Sequence, residues 1–216
     1  MTPDRHHAPR RFLIPRGTEA WGWAVASIPI ALSVFFIRFI GPVADGRAFR
    51  FGVDWFPSLG VSFSFYLDGL SLLFALLITL IGALVVLYAG AYMAEEKHSG
   101  RFFAYLLSFM VAMLGTVLAD NAVTLFLFWE MTTVTSFLLI GLDHRKEVAR
   151  SAALQGLLVT GGGGLALLAG LVYLTQAGGE TEISALLLKG EAIRSHAAYP
   201  AILTLVLIGA FAKSAQ

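Results

Sequence analysis

The chain has 216 residues, of which 57% are hydrophobic and 13% are charged, and its formal net charge is +1. Because soluble domains are about one-quarter charged, this composition favours a membrane protein. The lack of Cys excludes disulfides, thiolate catalysis and Cys-ligated metal or iron–sulfur sites, and no basic cluster typical of nucleic-acid binding occurs.

Long apolar segments predict an all-α polytopic membrane protein, because a helix needs about 20 apolar residues to cross a bilayer. A basic tail, residues 1–20, comes first. Six transmembrane helices are then predicted near residues 21–40, 66–92, 102–119, 121–142, 152–174 and 199–216. The last of these spans is expected to be incomplete.

The distribution of Lys and Arg predicts a cytoplasmic N-terminus. With that topology, nine of them lie on the inner side, namely Arg5, Arg10, Arg11, Arg16, Lys97, Arg101, Arg145, Lys146 and Arg150. Four lie on the outer side, namely Arg47, Arg50, Lys189 and Arg194.

The segment 49–65 also falls on the outer side and has a different pattern. Residues 61–65 alternate apolar and polar side chains, and residues 57–60 have the composition of a turn. We therefore expect a small external β-hairpin, with an irregular loop as the alternative.

Glu130 is the strongest candidate for a functional residue, because residues 121–142 hold no other charge. A carboxylate in the middle of a membrane costs roughly 2.5–3.5 kcal/mol on insertion scales, and such groups usually face a polar pathway or a charged partner. The alternative is a protonated structural carboxyl group that hydrogen-bonds a neighbouring helix. Thr133 lies one helical turn further on and is predicted to donate to Glu130.

Lys213 is the candidate partner of Glu130. It follows the apolar run 201–212, about 21 Å along its predicted helix at 1.5 Å per residue. A buried base and a buried acid on separate helices suggest proton or ion movement. The competing interpretation is a lysine that ends the span and reaches the inner surface.

Three further features are expected to be structural. Asp68 stands where an acid stabilises the first turn of a helix, and Asp120 with Asn121 resembles a turn followed by a helix start. Both acids are kept as possible supporting residues of a proton pathway. The glycine run 161–164 is expected to allow close packing of helices, and a flexible or unwound gating point is the alternative.

Several segments together resemble the A subunit of multi-subunit Mrp-type cation/proton antiporters and the wider superfamily that includes the antiporter-like subunits of respiratory complex I. The segments that carry the resemblance are residues 55–60, 66–79, 102–106, 113–115, 129–133, 136–141 and 209–216. The resemblance implies that residues 21–216 are the N-terminal part of an antiporter-like domain. It also implies an external β-hairpin, and it assigns Glu130 and Lys213 to a chain of groups that moves protons.

The same resemblance implies a bacterial inner-membrane protein that is a transporter subunit rather than an enzyme and carries no metal or cofactor. Its expected partners are other Mrp-type membrane subunits, the C-terminal part of the subunit, protons and Na⁺ or another monovalent cation. Because family sequences continue for hundreds of residues, we expect this chain to be a fragment that neither transports nor folds stably alone.

A second interpretation is a proton-pumping membrane-arm subunit of an NADH–quinone oxidoreductase or a membrane-bound hydrogenase. Both interpretations use Glu130 and Lys213. A purely structural membrane protein would leave Glu130 unexplained.

Overall fold

The computed structural model describes residues 17–59, 61–93 and 99–214. Residues 1–16 of the predicted basic tail, and Lys97 of a predicted inner loop, lie outside the described residues. The described chain is mostly helical, and its elements are α1 Gly17–Ile37, α2 Ile40–Ala44, β1 Phe49–Phe56, β2 Val61–Leu67, α3 Gly69–Tyr92, α4 Ser99–Leu118, α5 Ala122–Ile140, α6 Glu147–Gly178, α7 Ile183–Leu187, α8 Gly190–Ser195 and α9 Tyr199–Lys213.

Helices α3, α4, α5 and α6 are each long and apolar enough to cross a membrane. Shorter apolar helices cover Gly22–Ile37 and Tyr199–Lys213. Large apolar side chains stay exposed on the outside of the helices, as on Leu84 and Leu158. The predicted class, an all-α multi-pass membrane protein with one hairpin, is confirmed.

Several helix boundaries differ from the predicted spans by three to five residues, and two of these differences have local causes. The second span starts at Gly69 rather than residue 66, because Tyr66 and Leu67 complete β2. The fifth span extends over all of Glu147–Gly178 and ends where Gly179 adopts a left-handed conformation at φ 67°. Gly tolerates this conformation without steric cost.

The hairpin pairs β1 with β2 in antiparallel register, with Gly52 opposite Ser64, and a short 3₁₀ turn joins the strands. Strand β2 of this hairpin packs against the start of α5. The backbone N–H of Asp120 donates to the Ser64 carbonyl at 2.9 Å, and the Thr124 hydroxyl donates to the Ser62 carbonyl at 2.6 Å. The predicted hairpin is therefore present, and it is attached to the helix that carries Glu130.

The glycine run lies within α6, and the helix continues through it without unwinding. A Cβ placed on Gly163 would overlap the Ala212 side chain of α9, and one placed on Gly209 would lie 2.6 Å from the Leu167 side chain. Small residues therefore allow α6 and α9 to approach closely, as expected for helix packing in a membrane. This contact brings the end of α9 towards α5.

Candidate functional site

Lys213 is the last residue of α9, and its ammonium group contacts α5. Its Nζ donates to the Thr133 hydroxyl at 2.7 Å and to the Trp129 carbonyl at 3.2 Å, and it lies 5.4 Å from the centroid of the Trp129 ring. Two neutral oxygens and an aromatic face therefore hold this cation.

Glu130 follows Trp129 on α5, but its side chain points towards α6. Its Oε1 is fully buried and has no hydrogen-bond partner among the described residues. No ion pair within 4.0 Å joins its carboxylate to Lys213 in the described part of the chain. The carboxylate and the ammonium group nevertheless lie on two helices in contact, α5 and α9. They form a separated acid–base pair rather than a salt bridge.

The geometry of α5 explains this separation. At about 100° per residue, Thr133 lies about 40° around the helix from Trp129, so the two form one stripe that meets Lys213. The expected donation from Thr133 to Glu130 is therefore not what the structure contains. The Thr133 hydroxyl instead accepts from Lys213, and its other contact is the Trp129 carbonyl at 3.5 Å.

A cavity of about 360 Å³ adjoins Lys213 between α4, α5, α6 and α9. A water molecule occupies about 30 Å³ in the liquid, so this space is large enough for several. Five hydroxyl-bearing residues share its wall with Lys213 and apolar side chains, and they are Thr116, Thr132, Thr133, Ser136 and Thr160. Sequence reasoning missed four of them. The available signal was the recurrence of Ser and Thr within otherwise apolar spans.

Asp68 is a helix cap. Its side chain accepts from the Ser71 N–H at 2.9 Å, and its own N–H donates to the Ser71 hydroxyl at 2.8 Å, which completes a capping box at the start of α3. These contacts join Asp68 to Ser71 within the first turn of α3, so they agree with the prediction that Asp68 is a structural residue.

Asp120 occupies a different buried site at the hairpin end of the molecule. Its carboxylate accepts from the Ser184 N–H at 2.8 Å and from the Ser184 hydroxyl at 2.9 Å, and it lies 3.2 Å from Nε of Arg50. Arg50 also contacts Glu182 at 2.9 Å. Asn121, rather than Asp120, caps α5, by accepting from the Val123 N–H. Ten residues, about 15 Å of helix, separate Asp120 from Glu130, so Asp120 does not contact the Lys213 cavity.

In the described part of the chain, no group of three His, Asp or Glu side chains could hold a metal ion.

Two family models match the chain. Residues 55–103 match the N-terminus of chain 5 of NADH-ubiquinone oxidoreductase (complex I). Residues 119–216 match the transmembrane family of NADH:quinone oxidoreductase and Mrp antiporters. The second model includes both Glu130 and Lys213.

The chain is similar to antiporter subunits from bacteria. It is 45% identical over 197 residues to the A/B subunit of a probable K⁺/H⁺ antiporter of Rhizobium meliloti, covering 91% of this chain and 20% of that protein. It is 42% identical over 195 residues to the A1 subunit of the Na⁺/H⁺ antiporter of Staphylococcus haemolyticus, covering 90% of this chain and 24% of that protein. The chain thus spans about a quarter or less of the length of these relatives.

Two solved structures are also similar. A chain of the Mrp complex from Dietzia sp. DQ12-45-1b superposes with a TM-score of 0.82 at 34% identity, covering 93% of this chain and 21% of that chain. A chain of the membrane-bound sulfane sulfur reductase, an archaeal respiratory membrane complex, gives a TM-score of 0.72 at 22% identity, covering 94% of this chain and 31% of that chain. The second similarity concerns the fold alone.

Proposed function

This chain belongs to the family that Mrp antiporter subunits share with membrane subunits of NADH:quinone oxidoreductases, and we propose that it carries part of the proton pathway of a monovalent cation/proton antiporter. The observation that carries the proposal is the position of Lys213. Its ammonium group lies beside a mostly apolar cavity whose wall includes five hydroxyl-bearing residues, and the facing helix also carries Glu130, whose Oε1 is buried.

Lys213 is half-buried, and a lysine in such a position that served only structure would be expected to pair with the nearest acid, because a charge taken out of water without a partner is costly. Lys213 is instead held by the Thr133 hydroxyl and the Trp129 carbonyl, both of which are neutral. These oxygens accept hydrogen bonds from an ammonium group without holding it as an ion pair. Lys213 can therefore bind and release a proton without breaking a salt bridge.

Glu130 completes the pathway as a second proton-binding group. Its Oε1 is buried and lacks a hydrogen-bond partner within the described chain, so no hydrogen bond has to break before it accepts a proton. Water in the cavity beside Lys213 would connect the lysine to the rest of the route, whereas Glu130 does not line this cavity. An acid and a base alone cannot bridge a hydrocarbon core about 30 Å thick.

The relatives of this chain are several times longer, so the rest of the transporter is expected in the segments that those relatives contain and in other subunits. We propose that the chain assembles with other Mrp-type membrane subunits and with the further portion of the A subunit that its relatives contain. We also propose a bacterial inner-membrane location, which the bacterial relatives support. A cytoplasmic N-terminus and an external hairpin are proposed from the distribution of Lys and Arg. The transported cation would be Na⁺, K⁺ or another monovalent cation.

A second candidate is a proton-pumping subunit of a redox-driven membrane complex. The match of residues 55–103 to the complex I model favours it. The antiporter is preferred because the relatives at 45% and 42% identity are named as antiporter subunits.

The experiment uses Glu130→Gln in membrane vesicles from cells that produce the chain with its partner subunits. Gln keeps the size of the side chain but cannot exchange a proton, so cation-dependent proton flux under an imposed pH gradient should be lost while assembly persists. Glu147→Gln, the same change at an exposed position of α6, is the matched control. Wild-type flux in Glu130→Gln would refute the role of Glu130. Flux that requires an electron donor would favour the redox complex.

A further inference from the structure

We propose that Gly164 is a positioning residue for Glu130, whose carboxylate occupies the space that any larger side chain at Gly164 would fill. The inference rests on the proposed function of Glu130. It assigns a role within the pathway to one residue of the glycine run 161–164.

The carboxylate of Glu130 lies directly against the backbone of α6. A Cβ placed on Gly164 would overlap Oε1 and would lie 2.9 Å from Cδ of Glu130, whereas real Cβ atoms essentially never come closer than 3.0 Å. The group that would collide is the functional end of the side chain. An alanine at Gly164 must therefore move the carboxylate or push α5 away from α6.

The other glycines of the run have different surroundings. Gly163 faces α9, where a Cβ would overlap the side chain of Ala212. No atom lies within 4 Å of a Cβ placed on Gly161 or Gly162. Because successive residues of a helix point about 100° apart, Gly163 and Gly164 present adjacent faces to α9 and α5. One glycine thus permits helix packing, and the next accommodates the acid.

The displaced carboxylate would have no equivalent position to occupy. Its Oε1 is fully buried and has no hydrogen-bond partner in the described chain, so the backbone of Gly164 is the surface that limits how far it extends towards α6. On the other side, the hydrogen bonds of the Lys213 ammonium group go to Thr133 and Trp129. The absent Cβ of Gly164 therefore sets the separation between the acid and the base.

Proton transfer is sensitive to this separation, and a misplacement of 1 Å in a reacting group can cost about 100-fold in rate. We expect Gly164→Ala to lower cation-dependent proton flux per assembled complex at least tenfold. Gly162→Ala is the matched control. It makes the same change two residues earlier and gives the same gain in helix propensity, but its Cβ meets open space, so flux should remain at the wild-type level.

A rescue experiment separates positioning from a general packing defect. Glu130→Asp keeps the carboxylate but withdraws it by one methylene, which should create room for the alanine. We expect Gly164→Ala to lower flux much less in the Glu130→Asp background than in the wild-type chain, because the shorter side chain no longer meets the new Cβ. If Gly164→Ala reduces assembly, the amount of assembled complex should recover in the double variant Gly164→Ala with Glu130→Asp for the same reason.

Three results would overturn the inference. They are wild-type flux in Gly164→Ala, equal losses in Gly164→Ala and Gly162→Ala, and a loss from Gly164→Ala that is as large in the Glu130→Asp background as in the wild-type chain. The proposed function fails separately, because it requires that Glu130→Gln abolish flux. An inactive Glu130→Gln together with an unaffected Gly164→Ala would leave the function standing and remove the role of Gly164.

Discussion

Replacing Asp120 by Ala should loosen the attachment of the hairpin and α7 to the start of α5. Asp120 is 1% exposed, and its carboxylate joins three parts of the chain that are distant in sequence. The substitution removes both hydrogen bonds from Ser184 and the ion pair with Arg50, and it leaves the Ser184 N–H without its acceptor.

The expected cost follows from these contacts. Breaking a buried ion pair costs about 3–5 kcal/mol when the remaining charge stays buried. The Arg50 side chain is 47% exposed and keeps its contact with Glu182, so its part of the penalty is small. Most of the remaining cost comes from the two hydrogen bonds that Ser184 donates to the charged carboxylate. Each is worth about 1.5–3 kcal/mol when taken alone. We expect a total of about 3 kcal/mol.

Hydrogen exchange measured by mass spectrometry on the assembled complex can test this magnitude, because local opening exposes the amides of β2 and α7. A loss of about 3 kcal/mol corresponds to roughly 100-fold faster exchange in these segments, at about 1.4 kcal/mol for each factor of ten. Asp120→Asn keeps one acceptor oxygen and should give an intermediate rate.

Asp143→Ala is the matched control, because it removes an exposed ion pair with Lys146 in which the side chains are 52% and 75% exposed. Exposed pairs contribute little to stability, so this variant should exchange like the wild type. Wild-type protection of β2 and α7 in Asp120→Ala would refute the reasoning and show that the buried cluster does not attach the hairpin.

Three other outcomes are expected in the assembled complex. Thr133→Val keeps the shape of the side chain but removes the oxygen that binds Lys213, so flux should fall about tenfold, since a hydrogen bond to a charged group is worth about 1.5–3 kcal/mol. Thr204→Val makes the same change at an exposed position of α9, where the hydroxyl donates to the Pro200 carbonyl, and should retain flux. Equal flux in both variants would contradict the role of Thr133. Gly163→Ala should reduce the amount of assembled complex on blots, because its Cβ overlaps α9, and undiminished assembly would be inconsistent with that packing. Single cysteines introduced by Ser58→Cys and Ser99→Cys should react with an impermeant thiol reagent from outside and from inside respectively, and the reverse pattern would invert the topology.

The features that depend on local sequence were predictable. Apolar spans follow from composition, the hairpin follows from alternation, and the Asp68 cap depends on a residue three positions away. Glu130 was also recognisable, because a single charge within an apolar span is conspicuous on its own.

The features that depend on distant segments were not predictable. Asp120 has the sequence context of a turn, and its partners Arg50 and Ser184 lie 70 residues before and 64 residues after it. Likewise, whether the Thr133 hydroxyl contacts Glu130 or Lys213 depends on where α9 ends relative to α5. No local pattern encodes that position.

The Trp129 carbonyl has a consequence for how readily Lys213 can leave its place. The Thr132 hydroxyl donates to this same oxygen at 2.7 Å, and the Thr133 hydroxyl lies 3.5 Å from it. If the ammonium group moves away, Thr132 still satisfies the carbonyl, and Thr133 can tighten onto it. The carbonyl is then not left without a donor, and the penalty for an unsatisfied buried acceptor does not arise at that oxygen. The Trp129 carbonyl thus keeps a hydrogen bond when Lys213 leaves, which favours a charge that binds and leaves repeatedly.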